Sequence, residues 1–120
     1  MSTPCMIGIK TEEGYKAIYC HYDGYHSNMW PMLTTNYNSE ELATKLVNLG
    51  DASSIDPRLE STPGVPHTFD FPEKVVCVFY HRDRGESWDR CQPKIYRSKR
   101  ELKSQFGIAY VWENNHWEEL

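Results

Sequence analysis

The sequence predicts an α+β fold, with an antiparallel β-sheet and two helices packed on one of its faces. Three observations lead to this prediction. Short apolar or alternating segments, typical of strands, lie near both ends of the chain and in its middle. Two other segments begin with helix-capping residues and end with glycine. A chain of 120 residues is also long enough to bury one core, so we expect a single domain over residues 1–120.

The first two strands are predicted to form a hairpin. Residues 6–10 (MIGIK) and 16–22 (KAIYCHY) are rich in β-branched and aromatic side chains. A short polar segment, TEEGY, joins them and contains a glycine. These features favour an antiparallel pair with a tight turn.

A helix is predicted over residues 38–50 (NSEELATKLVNLG). Asn38 can cap its first turn, and Glu41, three residues later, can complete a capping box. Gly50 is placed to end the helix in a left-handed turn. Three leucines share one face, which we expect to pack on the sheet: Leu42, Leu46 and Leu49.

The middle of the chain divides into a loop and a strand. Residues 51–73 contain four prolines and several turn formers, which predict a loop without a regular element. Residues 74–81 (KVVCVFYH) form a near-continuous apolar run. Such a run is typical of a central strand that is covered on both faces.

The C-terminal part predicts a second helix and a final hairpin. The helix spans residues 98–107 (SKRELKSQFG), with Ser98 as its cap and Glu101 as the capping-box partner. Residues 108–120 then predict a strand, a two-residue Asn114–Asn115 turn and a short return strand.

Composition excludes several classes of partner. The formal net charge is −4, which argues against binding duplex nucleic acid over a broad face, because backbone binding needs a basic surplus. No apolar run approaches transmembrane length, so we expect no membrane partner. The chain shows no basic-then-apolar leader, and its four cysteines form no CxxC pair, so we expect free thiols in a reducing cytosol.

The first candidate site lies at the end of the second strand. On a strand over residues 16–23, His21 and Asp23 would share one face just before a glycine. Tyr25 and Trp30 follow and would supply aromatic rings. The functional interpretation is a His/Asp pair in a ligand site. The alternative is a histidine bonded to the turn, with Asp23 accepting from backbone amides.

The second candidate site follows the predicted central strand, in the segment HRDRGE, residues 81–86. Arg82 and Arg84 can point to one side, and two forked guanidinium groups suit the capture of phosphate or carboxylate. His81 precedes them and is a further candidate ligand-binding residue. The alternative is a solvated turn in which the arginines pair with the neighbouring acidic residues.

Other chemistry has less support in the sequence. The histidines show no zinc spacing such as HExxH, although His21 and His26 lie five residues apart as a weaker metal alternative. No GxSxG elbow, Walker loop or dinucleotide fingerprint is present. We therefore expect no metal and no cofactor. Because both clusters lie at a strand end before a glycine, we expect them to form one site.

Four blocks of the sequence resemble a family of small uncharacterised phage and prophage proteins. The blocks are IYCHYDGY, LGDASSI, VVCVFYHRDRGE and the terminal AYVWENNHWEEL, and the likeness covers about residues 6–120. Tyr22 stands where the family commonly has tryptophan. The resemblance implies a small accessory protein that acts in counter-defence or host takeover.

Three functions are compatible with these observations. The first is a counter-defence protein that binds and sequesters a small anionic ligand, most plausibly a nucleotide immune messenger, with aromatic rings for a base and arginines for phosphates. The second is a protein–protein inhibitor of a host defence enzyme that binds through Trp30 and Trp88. The third is a small hydrolase with His21 and His81 as acid and base. An enzyme is the least favoured of the three.

We also predict a homo-oligomer in the bacterial host cytosol. Strands in so short a chain can leave a sheet edge free, and a pocket between subunits would compensate for the limited concavity of one small domain. The chain also has more tryptophan than one small core needs: Trp30, Trp88, Trp112 and Trp117.

Overall fold

The computed structural model describes residues 2–120 and confirms the α+β fold. Across these residues, seven strands form one sheet. The strands are β1 (Cys5–Thr11), β2 (Gly14–Cys20), β3 (Ala52–Ser54), β4 (Val78–Phe79), β5 (Lys94–Tyr96), β6 (Ala109–Glu113) and β7 (His116–Glu119). The helices are α1 (His26–Asn36), α2 (Glu40–Asn48), α3 (Tyr80–Arg84), α4 (Trp88–Cys91) and α5 (Lys99–Ser104).

The sheet is mixed, whereas the sequence predicted only antiparallel pairs. Its order is β4-β3-β2-β1-β6-β7, and β5 also pairs with β2. The hairpins β1–β2 and β6–β7 are antiparallel, as predicted, but β1–β6 and β2–β3 are parallel. The reason is that β3 and β6 each enter the sheet after a helical crossover, which returns the chain in the same direction.

Helices cover both faces of the sheet, whereas the sequence predicted one covered face. On one face, α1 and α2 bury the larger core, whose fully buried side chains include Ile7, Ile18, Met29, Leu33 and Leu46. On the other face, Leu102 of the short α5 packs against a smaller cluster that includes Met6, Ala17 and Val111. A six-residue helix cannot cover a whole sheet face, and the uncovered part holds the candidate site.

The predicted central strand over residues 74–81 is wrong in length and position. Only Val78–Phe79 are strand, at the edge of the sheet, and Tyr80 begins α3. Val75 has a φ of +61°, which breaks the extended backbone. The apolar run is nevertheless buried from Val76 to Phe79. Apolar character therefore predicted burial correctly. The first part of the run, however, forms backbone hydrogen bonds with Arg58 in a loop: the Arg58 N–H donates to the Val75 carbonyl, and the Cys77 N–H donates to the Arg58 carbonyl.

Five elements were not predicted from the sequence: β3, β5, α1, α3 and α4. Residues 51–73, predicted as loop, contain the three-residue strand β3. β5 lies in the polar connection before the second predicted helix. Helix α1 buries Met29 and Leu33, although Pro31 lies inside it.

The cap of α5 and the turn of the final hairpin are confirmed, whereas the predicted cap of α2 by Asn38 and Glu41 is wrong. Ser98 accepts a hydrogen bond from the Glu101 N–H at 3.1 Å and caps α5. Ser39 caps α2, by accepting from the Leu42 N–H, in place of the predicted Asn38. Both residues of the Asn114–Asn115 turn have positive φ. Leu42 is exposed, so the buried face of α2 is made by Ala43, Leu46 and Val47 instead of the three leucines.

The described helices are short. In residues 2–120, none of them has the length and apolar character needed to cross a membrane. The four cysteines are free and buried: Cys5, Cys20, Cys77 and Cys91.

Candidate functional site

Strand β2 changes its neighbour along its length, and the change leaves a gap in the sheet. Its first half pairs with β5, where Ala17 opposite Lys94 is the last pair, and its final residue pairs with Ala52 of β3. No described strand bonds to β2 between these positions on that side. Asp51 fills the gap, because its Oδ1 accepts a hydrogen bond of 2.9 Å from the Tyr19 N–H. A side chain thus satisfies a backbone donor that a strand would otherwise satisfy.

A pocket of about 240 Å³ opens at this gap, on the sheet face that α5 covers. Its walls combine three aromatic rings with a cation, a carboxylate and an amide. The lining residues are Met6, Ala17, Tyr19, Asp51, Lys94, Tyr96, Gln105 and Phe106. We call this the Asp51 pocket. Its lining is about half polar, and aromatic rings beside convergent polar groups can hold a small molecule that is itself part aromatic and part charged.

The aromatic part of the Asp51 pocket continues along β2. Phe106, just after α5, is 45 % exposed, and its ring centroid lies 5.0 Å from that of Tyr19. The Tyr19 hydroxyl lies 2.5 Å from Nδ1 of His21, whose ring contacts Tyr22 edge-on at 4.4 Å. His21, a predicted site residue, therefore lies directly behind one wall of the pocket.

Burial dominates the electrostatics of the Asp51 pocket. It raises the pKa of Asp51, although the bond from the Tyr19 N–H and the charge of Lys94 act in the opposite direction. Burial also raises the pKa of Tyr19 and of Tyr96, so both hydroxyls stay protonated and can donate near neutral pH. No described cation forms an ion pair with Asp51. A partly desolvated acceptor in a cleft is a candidate binding group.

His21 and Asp23 do not form the predicted pair. β2 ends at Cys20, and Asp23 has a φ of +59°, so the alternation of faces along a strand does not extend to it. No hydrogen bond or ion pair joins the two side chains within residues 2–120. The glycine that follows is structural: a Cβ on Gly24 would lie 2.6 Å from the Cβ of Cys5.

Tyr25 and Trp30 belong to α1. Tyr25 is the N-terminal capping residue and is exposed, while Trp30 is half-buried against the larger core. The Trp30 ring stacks on the ring of His26, and Nδ1 of His26 lies 2.5 Å from Oε1 of Glu119 on β7. Neither of the two predicted residues lines the Asp51 pocket.

Arg82 is held by an internal network. Nη1 donates to the Leu59 carbonyl at 2.6 Å, and Nη2 donates to the Cys77 carbonyl at 2.9 Å. Nε and Nη2 also bind both carboxylate oxygens of Asp83, which is almost fully buried. His67 completes the network through Nε2, 3.3 Å from Asp83 and 3.1 Å from the Cys77 carbonyl. These contacts tie the segment before β4 to α3.

Arg84 and His81 lie on the surface of α3. The Arg84 guanidinium lies over the Phe69 ring at 4.8 Å, and its Nε is 3.8 Å from the Glu86 carboxylate. His81 is paired through Nδ1 with the Glu86 carbonyl at 2.7 Å, and its ring contacts Trp88 edge-on. The local charge pairing considered as the alternative for this segment is therefore present.

The structure does not join the two predicted clusters. The last residues of β2 and β4, Cys20 and Phe79, both pair with Ala52 of β3. β2 is parallel to β3 and β4 is antiparallel to it, so the chain continues from the two strands in opposite directions. No contact of hydrogen-bond or ion-pair length links His21 or Asp23 to Arg82 or Arg84 in the described chain. The same residues contain no group of three His, Cys, Asp or Glu that could hold a metal ion.

Sequence reasoning missed most of the Asp51 pocket. Lys94 and Tyr96 lie on the unpredicted β5, and Gln105 and Phe106 lie where the second helix ends. Asp51 is the first residue of the segment 51–73, which the sequence predicts as loop. The available signal was the alternation of Lys94 and Tyr96 in a segment that follows a proline, since such a segment can form an edge strand.

Comparisons of the chain with protein-family models, curated proteins and solved structures returned no match. The resemblance to small phage proteins therefore stays a prediction that rests on the sequence blocks quoted above.

Proposed function

We propose that this protein binds and sequesters a small anionic ligand that carries an aromatic base, most plausibly a nucleotide immune messenger, in the Asp51 pocket. The single observation that carries the proposal is the combination of an exposed ring, a cation and a partly buried carboxylate around one cavity. Phe106, Lys94 and Asp51 supply these groups. Each matches a different part of a nucleotide.

The aromatic walls suit a base. Phe106 offers an exposed ring next to Tyr19, and Tyr96 lines the same cavity. Base–aromatic stacking contributes about 1–3 kcal/mol per base. A cavity of about 240 Å³ lies just below the range typical of drug-sized ligands. The base would therefore occupy the cavity while the sugar and phosphates lie at its rim.

The charge at the rim suits a phosphate. Lys94 is exposed, lines the cavity and forms no ion pair within the described chain. A lysine ammonium binds phosphate as a point charge. Lys94 thus replaces Arg82 and Arg84 as the proposed phosphate-binding group, because the Arg82 donors are already bound to protein acceptors.

A counter-defence role in the bacterial host cytosol follows from the resemblance to phage proteins. A sequestering protein needs binding without chemical change of the ligand. The two histidines of the hydrolase hypothesis have separate partners, since His21 contacts Tyr19 and His81 contacts the Glu86 carbonyl.

The proposal is tested by incubating the purified protein with a panel of cyclic and linear nucleotides and removing unbound ligand. The protein is then denatured by heat, and the released material is identified by mass spectrometry. We expect intact nucleotide to be released. An altered nucleotide would favour the hydrolase, and no retention of any panel member would contradict binding in the pocket.

Two matched variants localise the site. Phe106→Ala removes the exposed ring of the pocket, and loss of stacking should weaken binding roughly fivefold to 100-fold. Phe71→Ala removes a ring that is 82 % exposed and does not line the pocket, so binding should not change. Equal effects of the two substitutions would contradict the proposed location.

A protein–protein inhibitor is the second candidate, and exposed apolar side chains on one segment favour it. Val65, Phe71 and Val75 are all exposed between α2 and β4. Two hydrogen bonds hold the segment in place. The Glu73 N–H donates to Nδ1 of His67, and the Thr62 hydroxyl donates to the Glu73 carboxylate. In this case Phe71→Ser should abolish capture of a host protein and leave nucleotide binding intact.

A further inference from the structure

We infer that the Asp51 pocket selects guanine among the nucleobases. This inference rests on the proposed function and names the base that the same pocket takes. It begins from Asp51, whose two carboxylate oxygens are in different situations. Oδ1 accepts from the Tyr19 N–H at 2.9 Å, whereas Oδ2 has no hydrogen-bond donor within residues 2–120. The residue lines the pocket and is only partly exposed.

A carboxylate is an acceptor on both oxygens and can receive two parallel hydrogen bonds. Guanine presents two adjacent donors on its Watson–Crick edge, N1–H and the N2 amino group. Adenine and cytosine each place one amino group beside a ring nitrogen with a lone pair, which a carboxylate repels. Uracil places its single N3–H between two carbonyl oxygens. Guanine is therefore the base whose edge complements Asp51.

The remaining groups of the pocket are compatible with guanine. Gln105 donates one amide hydrogen to the Glu101 carbonyl at 3.2 Å and has a second one free for a carbonyl such as guanine O6. Phe106 presents an exposed ring against which the purine can stack. Asp51 itself has no ion-pair partner in the described chain, so a ligand donor would satisfy an acceptor that the fold leaves open.

Polar complementarity of this kind gives strong discrimination, because the wrong base leaves a partly buried acceptor unpaired. We expect GMP to bind at least tenfold more tightly than AMP, CMP or UMP. IMP keeps N1–H and lacks the N2 amino group, so its affinity should lie between those of GMP and AMP.

The experiment is isothermal titration of the full chain with GMP, IMP, AMP, CMP and UMP, repeated on Asp51→Asn. Asparagine keeps an oxygen for the Tyr19 N–H but adds an amide donor that faces the donors of guanine and suits the ring nitrogen of adenine, so the variant should lose at least tenfold in GMP affinity and lose its preference for GMP over AMP. Circular dichroism confirms that it folds. The base series on the wild-type chain tests the inference even if the variant does not fold.

The outcomes separate this inference from the proposed function. GMP preference that is lost in Asp51→Asn supports both. Binding of AMP or CMP as tight as that of GMP overturns the guanine assignment and leaves the nucleotide pocket in place. GMP preference that persists in Asp51→Asn overturns the role of Asp51. Failure of all five nucleotides to bind at millimolar concentration overturns the guanine assignment, and if no member of the cyclic and linear panel is retained either, both proposals are overturned.

Discussion

Arg82→Ala is expected to destabilise the fold strongly. The sequence-based hypothesis expects this substitution to weaken ligand capture while the fold stays intact. The structure leads to a different expectation, because the Arg82 guanidinium binds two backbone carbonyls and a nearly buried carboxylate. Alanine would remove the two bonds to the Leu59 and Cys77 carbonyls and the forked pair with Asp83.

The magnitude follows from the burial of the two partners. Removing one partner of a buried ion pair costs about 3–5 kcal/mol, because the other charge is left uncompensated. The Asp83 side chain is only 4 % exposed, whereas that of Arg82 is 24 % exposed. Asp83 also keeps the Phe79 N–H at 2.8 Å and the nearby ring of His67. We therefore expect the lower end of the range, about 3 kcal/mol.

Urea unfolding followed by circular dichroism measures this loss. With an m value of about 2 kcal/mol per molar, the midpoint of Arg82→Ala should fall by about 1.5 M. Arg84→Ala is the matched control, since its ion pair is long and exposed, and it should cost less than about 1 kcal/mol. Arg82→Lys should recover only part of the loss, because one ammonium cannot make the forked contact.

One result would refute this reasoning directly. If Arg82→Ala unfolds at the wild-type urea concentration, the network does not stabilise the fold as described. If that stable variant also loses nucleotide binding, the phosphate-clamp hypothesis for Arg82 is supported instead of the Asp51 pocket.

Four further predictions concern the core, the thiols, the carboxyls and the assembly. Gly24→Ala should destabilise by about 1–3 kcal/mol in the same urea assay, because its Cβ would meet Cys5; an unchanged midpoint would contradict the close packing. Thiol titration in denaturant without reductant should find four free groups, and two would contradict a reduced chain. Burial raises the pKa of Asp51 and Asp56, so their contribution to stability is complete below the unfolded pKa and is lost as pH rises through the folded pKa. Asp51→Asn should therefore gain stability relative to wild type as pH rises above the unfolded pKa of about 4, and a constant difference would argue against desolvation. Light scattering should show a dimer or larger oligomer at high micromolar concentration, and a monomer would contradict the predicted assembly.

The elements that the sequence predicted well are those specified by local chemistry. Ser98 and Glu101 define the start of α5, and the Asn114–Asn115 turn requires the positive φ that asparagine tolerates. Each of these signals acts within four residues. The hairpin of β1 and β2 was predicted for the same reason, since the short polar segment between the strands contains the glycine that indicates a tight turn.

The elements that were missed depend on contacts distant in sequence. The run from Val76 to Phe79 looks like a strand, but its neighbours in space include Arg58, so most of it bonds to a loop. α1 carries the four-residue spacing of Met29 and Leu33, which is typical of a buried helical face, but no element was predicted for this segment from the sequence. Pro31 is the sixth of the eleven residues of α1, an interior position where proline removes a backbone hydrogen bond, so the buried contacts of Met29 and Leu33 must outweigh that loss.

The candidate site could not be predicted for a related reason. Asp51 becomes a site residue only because β2 pairs with β5 up to Ala17 and with β3 at Cys20, which leaves the Tyr19 N–H between them without a strand partner. Strand order depends on the whole chain and leaves no local pattern. His21 was found because it follows an evident strand, but its partner is Tyr19 instead of Asp23.

The hydrogen bond from the Tyr19 N–H to Asp51, in the gap between β5 and β3, gives the protein an internal spectroscopic reporter. The Tyr19 amide proton is held by a carboxylate, whereas its neighbours in β2 are held by backbone carbonyls, so its resonance depends on the charge of Asp51. In a proton–nitrogen correlation spectrum, that one signal should follow the ionisation of Asp51 as pH is lowered. It should also move when a ligand occupies the carboxylate, before any global change in the spectrum. A single backbone resonance therefore monitors the state of the cavity without a label attached to it.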